Sequence, residues 1–138
     1  MKKKVIPKAR RVRILKKKLF KIWAEITKLQ QGGYCQICKS DKFLNSHHLI
    51  SRNKKDTALK WDTKNAICIC ALHHKWCNSI SPHRAPLQFF EWFRAKYPNK
   101  HKYLLEHAED TKIYTEEELI TLLEEMKTKL NKLIVDDL

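Results

Sequence analysis

Apolar residues recur at three- and four-residue spacing over residues 14–31: Ile14, Leu15, Leu19, Ile22, Trp23, Ile26 and Leu29. That period matches a helical turn and predicts an amphipathic helix with lysines on its outer face. Gly32-Gly33, the only glycines in the chain, end it. The pattern then shortens. Phe43, Leu44, His48, Leu49 and Ile50 suggest a strand, residues 51–64 a polar loop around Trp61, and Asn65 to Ile69 a second short strand. A helix is expected from about Ala71 to Asn78. Ser81-Pro82 breaks the chain, and residues 86–97 form a strongly apolar helix carrying Leu87, Phe89, Phe90, Trp92, Phe93 and Tyr97. Most of its aromatics are expected to be core over the strands. Pro98-Asn99 separates it from a short helix over about 100–108. Thr115 and Glu118 form a capping box. Leu119, Leu122, Leu123, Met126, Leu130 and Leu133 then mark a stripe down a last helix to about Val135. That stripe fits pairing of two subunits, or packing back on the helix at 14–31.

The order of elements predicts an α+β fold. A strand–loop–strand–helix module at 32–80 follows a basic arm and helix at 1–31 and precedes a helical wrap at 81–138. The chain's 138 residues suit one domain with arms, and a core this small gains from a metal staple.

Charge sharpens the picture. The net charge is +14 and unevenly spread. Residues 1–21 carry Lys2, Lys3, Lys4, Lys8, Arg10, Arg11, Arg13, Lys16, Lys17, Lys18 and Lys21 with no acid, whereas 109–138 hold nine acids against four lysines. So basic a balance points to a polyanion partner. Residues 1–13, with Pro7, predict a mobile arm that orders on DNA. Arm residues 2–21 and loop residues 52–64 are the candidates for phosphate contact. Lys2, Lys3, Lys4, Arg10, Arg11, Arg13, Arg52, Lys54 and Lys55 lead them, giving position more than sequence specificity. Trp61 and Trp76 could stack on bases, with burial the reading favoured for both. No stretch approaches the roughly 18 apolar residues of a membrane span, and no apolar run after the basic start marks a signal peptide. Five cysteines, three of them in ligand spacing with His, favour metal over disulfides. The expected location is cytoplasmic: intracellular, reducing and DNA-associated.

The chemistry concentrates in residues 35–78. Cys35-x-x-Cys38 and Cys70-x-x-His73 supply four ligands, which would close a tetrahedral structural Zn²⁺ site. Cys68 and Cys77 are rivals for the place of Cys70. His47, His48 and His74 are then left over, with Asn65 and Asn78 nearby, which suggests a second, open site. His73 and His74 point roughly 100° apart on a helix, so one can serve zinc and the other another centre. His47 and His48 are sent to opposite faces by a regular strand and reach one site only at a strand end or bulge.

This pattern resembles the HNH endonucleases, the ββα-metal nucleases. The likeness covers about residues 34–79. Asn65 is followed at five, eight and nine residues by Cys70, His73 and His74, and His47-His48-Leu49 stands where the family often has Asp-His-Ile. The stretch over 81–97 is similar to small phage and bacterial members. The resemblance implies His48 as general base and Asn65 as the residue that orients it. It implies His47 and His74 as holders of one divalent ion, with Asn78 or else His83 completing the shell. His47 in place of Asp makes that site softer, open to Mn²⁺, Ni²⁺ or Zn²⁺ beside Mg²⁺. The implied activity is metal-dependent hydrolysis of DNA phosphodiester bonds, leaving 5′-phosphate and 3′-hydroxyl ends. Two other readings remain: a zinc-bound DNA-binding or regulatory module, which leaves His47, His48 and His74 unused, and a structural packaging protein with an inactive site. A zinc deaminase lacks its His-x-Glu and Pro-Cys-x-x-Cys here. His101 and His107 read as surface residues.

Overall fold

The computed structural model describes residues 2–138. Helix α1 runs over Lys8–Gln30. Pro7 stands just before it, where its fixed φ and missing N–H do no harm. The start at Lys8 corrects the expected arm: residues 8–13 are helical, and of the arm's described residues only 2–7 are not, Met1 lying outside the described residues. The reason lies across the molecule. Arg11 Nε donates to Glu116 Oε1 at 2.7 Å, and Val12 and Leu15 pack against the core that contains Leu119, Leu123 and Met126. Gly32 and Gly33 adopt φ of 86° and 74°, the left-handed turn that closes a helix, and Gly33 N–H caps the Lys28 carbonyl at 2.8 Å.

Strands β1 (Leu44–His48) and β2 (Ala66–Cys70) form one antiparallel pair, with His47 opposite Ile67 and His48 opposite Ala66. β2 is buried along its whole length because both faces are covered. Ile67 and Ile69 join Phe89 and Phe93, while Ala66 joins Trp23 and Ile26 of α1. β1 ends at His48, short of the expected Ile50. Asn65 captures both backbone groups of Ile50, which are then lost to the sheet.

In place of the expected helix over 71–78 there is a five-residue π-helical turn, Leu72–Trp76, closed by Cys77 N–H on Leu72 O at 2.8 Å. A wider turn this short is a local device and often marks a functional site. Helix α2 spans Pro86–Lys96 and α3 Pro98–His107, the latter opening at the proline expected to precede it. Helix α4 spans Glu116–Asp136, and Thr115 Oγ1 accepts from Glu118 N–H at 3.1 Å, the expected cap.

Two cores hold these pieces together. One joins Cys35, Leu49, Leu59, Ile67, Ile69 and Cys70 to Phe89, Phe93 and Leu104. The other joins Leu19, Trp23 and Ile26 of α1 to Trp61, Ala66 and, on α4, Leu119, Leu123 and Met126. So the acidic helix packs back on the basic one within the chain. Burying each large side chain contributes about 1.5–3 kcal/mol. The three expected segments therefore share cores. The β1–β2 loop is braced from α3–α4: Ala58 N–H donates to Asp110 O and Lys112 N–H to Asp56 O, with Thr57 bridged to Thr111. Among the described residues no helix is long and apolar enough to cross a membrane.

Candidate active site

Cys35 and Cys38 lie in the connection from α1 to β1, Cys70 at the end of β2, and His73 in the π-turn. Their ligand atoms all fall within 4.8 Å of one another. Cys38 Sγ is 3.8 Å from Cys70 Sγ, and His73 Nδ1 is 3.2 Å from Cys70 Sγ and 3.9 Å from Cys35 Sγ. A tetrahedron with Zn–S bonds of about 2.3 Å has edges of about 3.8 Å. The donor set therefore fits, and the four residues could hold a metal ion such as zinc. Burial pushes the Cys35 thiol up, but backbone N–H groups of Cys38, Cys70 and Ile37 outweigh it and hold Cys35 below the ordinary thiol value. Such amides favour thiolate, the form that binds metal. Cys68 and Cys77 stand outside this group. Cys68 is fully buried on the α1 side, its amide donating to Gln31 Oε1, and its thiol is pushed up to about 11 by burial.

A second cluster gathers His47, His74 and His83. Strand alternation turns His47 toward α2, 6.2 Å from the Phe89 ring. His74 comes from the π-turn and His83 from the loop before α2. His47 Nδ1 and His83 Nε2 each lie 3.1 Å from His74 Nε2. One ring nitrogen carries one proton or one lone pair, so it cannot make two good hydrogen bonds in the ring plane. Three imidazole nitrogens converging on one point suit a shared cation instead. Burial, then the charges of His74 and His83, push His47 down to about 3, and burial pushes His74 down to about 4. Neutral imidazole is the ligand form. The third histidine of the cluster is His83. Asn78 is exposed and outside the cavity lining, because the π-turn ends at Trp76 and no helix carries it back over His74.

His48 points the other way from β1, onto α1. Its ring stacks on Trp23 with centroids 3.7 Å apart and planes 7° apart, and Phe20 continues the stack at 5.8 Å. Trp23 is itself fixed by Nε1–H donating to Asp62 O at 3.0 Å. His48 Nε2 lies 2.8 Å from the Lys60 carbonyl, so the neutral ring donates there and keeps its lone pair on Nδ1. Burial pushes His48 down to about 4, with Arg52 and Lys60 adding to the fall and the Lys60 carbonyl opposing it. Although they leave opposite faces, His47 and His48 stand at the strand end and both line one cavity of about 430 Å³ with His74, His83, Arg52 and Phe90. In the sequence Trp23 reads only as core. Its contact with His48 depends on how α1 crosses β1, which helical periodicity does not encode.

Asn65 is fully buried, and its side chain hydrogen-bonds to backbone groups only. Its Oδ1 accepts from Ile50 N–H at 2.6 Å, and its Nδ2 donates to Ile50 O and Leu59 O at 2.9 and 3.1 Å. It thus locks the two ends of the loop that leaves His48 and returns with Lys60. Asn65→Ala leaves those groups unpaired, at about 1–3 kcal/mol for each one that stays buried. The expected result is a clear fall in the urea midpoint with an unchanged slope.

The basic residues divide. Lys2, Lys3, Lys4, Arg10, Arg13 and Lys55 are exposed, and Arg52 lies 4.4 Å over the Phe20 ring at the cavity edge. Arg11 is committed to Glu116 and Ile6 O, and Lys54 to Ala108 O and Glu109, so neither is a free phosphate contact. Trp61 is buried while Trp76 is 60% exposed, against the burial expected for it. His101 is half-buried and His107 half-buried against Asp110. Comparison with protein-family models, curated proteins and solved structures found no match.

Proposed function

We propose that this protein is a metal-dependent endonuclease of the HNH kind that hydrolyses DNA phosphodiester bonds. The observation that carries the reading is the meeting of two unlike sites on one strand pair: a four-ligand cluster fit to be closed, and three histidines beside an independently held His48. A closed tetrahedral zinc is structural, whereas a site with three protein ligands keeps positions free for chemistry. In this reading Cys35, Cys38, Cys70 and His73 hold zinc, and His47, His74 and His83 hold the second ion, with Mg²⁺, Mn²⁺ or Ni²⁺ as candidates. When bound, that ion would stabilise negative charge on the scissile phosphate and the leaving oxygen.

The chain's own residues do the rest. His48 Nδ1 takes a proton from water as the water oxygen attacks phosphorus. The P–O3′ bond breaks, the 3′ oxygen leaves and gains a proton from solvent, and the 5′-phosphate stays on the other fragment. The imidazolium formed on His48 is stabilised by the Lys60 carbonyl and by the face of Trp23, an interaction of about 0.5–2 kcal/mol. Asn65 fixes the loop that supplies the carbonyl. The exposed lysines and arginines add affinity by releasing counterions from the phosphates.

A zinc-bound regulatory module would need the first cluster only, and metal analysis separates the two. Two metal equivalents are expected for the wild type, one for His83→Ala, and two for Asn78→Ala. Cleavage of supercoiled plasmid with Mg²⁺, Mn²⁺ or Ni²⁺ is the direct test. A protein that carries one equivalent and never nicks DNA would overturn the proposal.

A further inference from the structure

Beside the histidine cavity lies a second cleft of about 340 Å³, with Arg52 and Asn53 as the shared wall. Its cations come from three places: Lys16 on α1, Arg52, Lys54, Lys55 and Lys60 on the β1–β2 loop, and Lys112 before α4. Lys54 is used by Glu109, and Lys112 pairs with Glu118 at 3.1 Å. None of the ion pairs among the described residues involves Lys16, Arg52 or Lys60. Asp56 is the one acid lining the cleft. Burial, then the charges of Lys16 and Arg52, hold Lys60 below the ordinary lysine value, with Asp56 opposing.

These side chains are also held in place. Arg52 lies over Phe20, and the Lys60 ammonium is 5.3 Å from the Trp61 centroid. Lys16, Phe20 and Trp23 are four and three residues apart, so one face of α1 carries the cation and the stack behind His48. Lys60 joins the two clefts directly, since its carbonyl holds the His48 ring at 2.8 Å. Lys16, Arg52 and Lys60, offset in the cleft only by Asp56, repel one another, and a bound polyanion turns that repulsion into attraction.

We infer that this cleft is a phosphate track for a DNA strand, with Lys16, Arg52 and Lys60 contacting backbone phosphates that flank the one presented to His48. The flanking relation rests on the nuclease reading; the polyanion site does not.

The test measures binding of a short fluorescent DNA duplex over a range of salt, in a His48→Gln background that leaves the DNA uncut. Adding Lys16→Ala and Lys60→Ala is expected to flatten the plot of log affinity against log salt by about 0.9 for each phosphate no longer neutralised, roughly 1.8 in all. Lys102→Ala with Lys127→Ala removes as much charge from exposed positions on α3 and α4 and is expected to change the slope little. Circular dichroism and metal content check the fold of each variant. Equal slopes for the two double variants would overturn the track. So would an unchanged DNA slope with a changed slope for poly-glutamate, which would give the cleft to an acidic protein. If the wild type never cuts DNA but the slope still falls, the track stands and the nuclease reading fails.

Discussion

His48→Gln is expected to lower plasmid cleavage by about 10²–10⁴-fold, the usual worth of a general base, while zinc content and the melting curve stay close to wild type. Gln is the informative substitution because its amide can still donate to the Lys60 carbonyl, the partner of His48 Nε2 at 2.8 Å. His48→Ala is expected to lose the same activity but also some stability, since it opens a gap against the fully buried Trp23. Rate against pH gives a second check. The basic form of His48 is present above its pKa and lost as pH falls through it, and burial sets that value at about 4 rather than the ordinary 6.5. The acid limb of the wild-type profile should therefore lie well below the usual histidine range. Full cleavage by His48→Gln, with the two metal equivalents in place, would remove His48 from the mechanism.

Cys70→Ser is expected to release the first metal and unfold the domain. A structural zinc contributes about 10–16 kcal/mol of apparent binding energy at neutral pH, as large as the whole stability of an ordinary domain, about 5–15 kcal/mol. Cys70 is where the effect concentrates, because its sulfur lies within 3.8 Å of Cys38 Sγ and 3.2 Å of His73 Nδ1 and because it ends β2. Loss of this ligand frees both the knuckle and the π-turn, and with the turn goes His74. Chelation should do the same to the wild type. Cys68→Ser is the control: Cys68 is fully buried two residues away but outside the cluster. It should lose only about 1–3 kcal/mol, the range for a buried polar group in mutational data, and keep its metal. Measured together, helical circular dichroism and zinc release decide the matter. A folded, metal-free Cys70→Ser protein would show that the staple is dispensable.

Much of this was written in the sequence. The helical stripe of Leu19, Trp23 and Ile26, the Thr115 cap and the apolar run of β2 are local signals, and local sterics and burial periodicity suffice to produce them. The four-ligand cluster was legible too, because a Cys-x-x-Cys knuckle and a Cys-x-x-His turn each fix their pair of ligands by short-range geometry. His47 and His74 could be nominated, and their company narrowed to Asn78 or His83, but the sequence did not choose between those two. His83 enters because the chain from the π-turn doubles back before α2, whereas Asn78, four residues after His74, would share its face only on a regular helix. The wider turn breaks that register. The extent of α1 was decided at a distance, by Glu116 and the α4 core, which turn residues 8–13 from an arm into helix. The sharpest case is His48. Sequence placed it beside His47, and strand alternation predicted that the two would part. They do part, and only the crossing of α1 over the strand end decides that His48 meets Trp23, the Lys60 carbonyl and the same cavity as His47. Periodicity fixes which face a residue takes along its own element, while the partner it meets there depends on how two elements cross, a choice made by the packing of whole side chains.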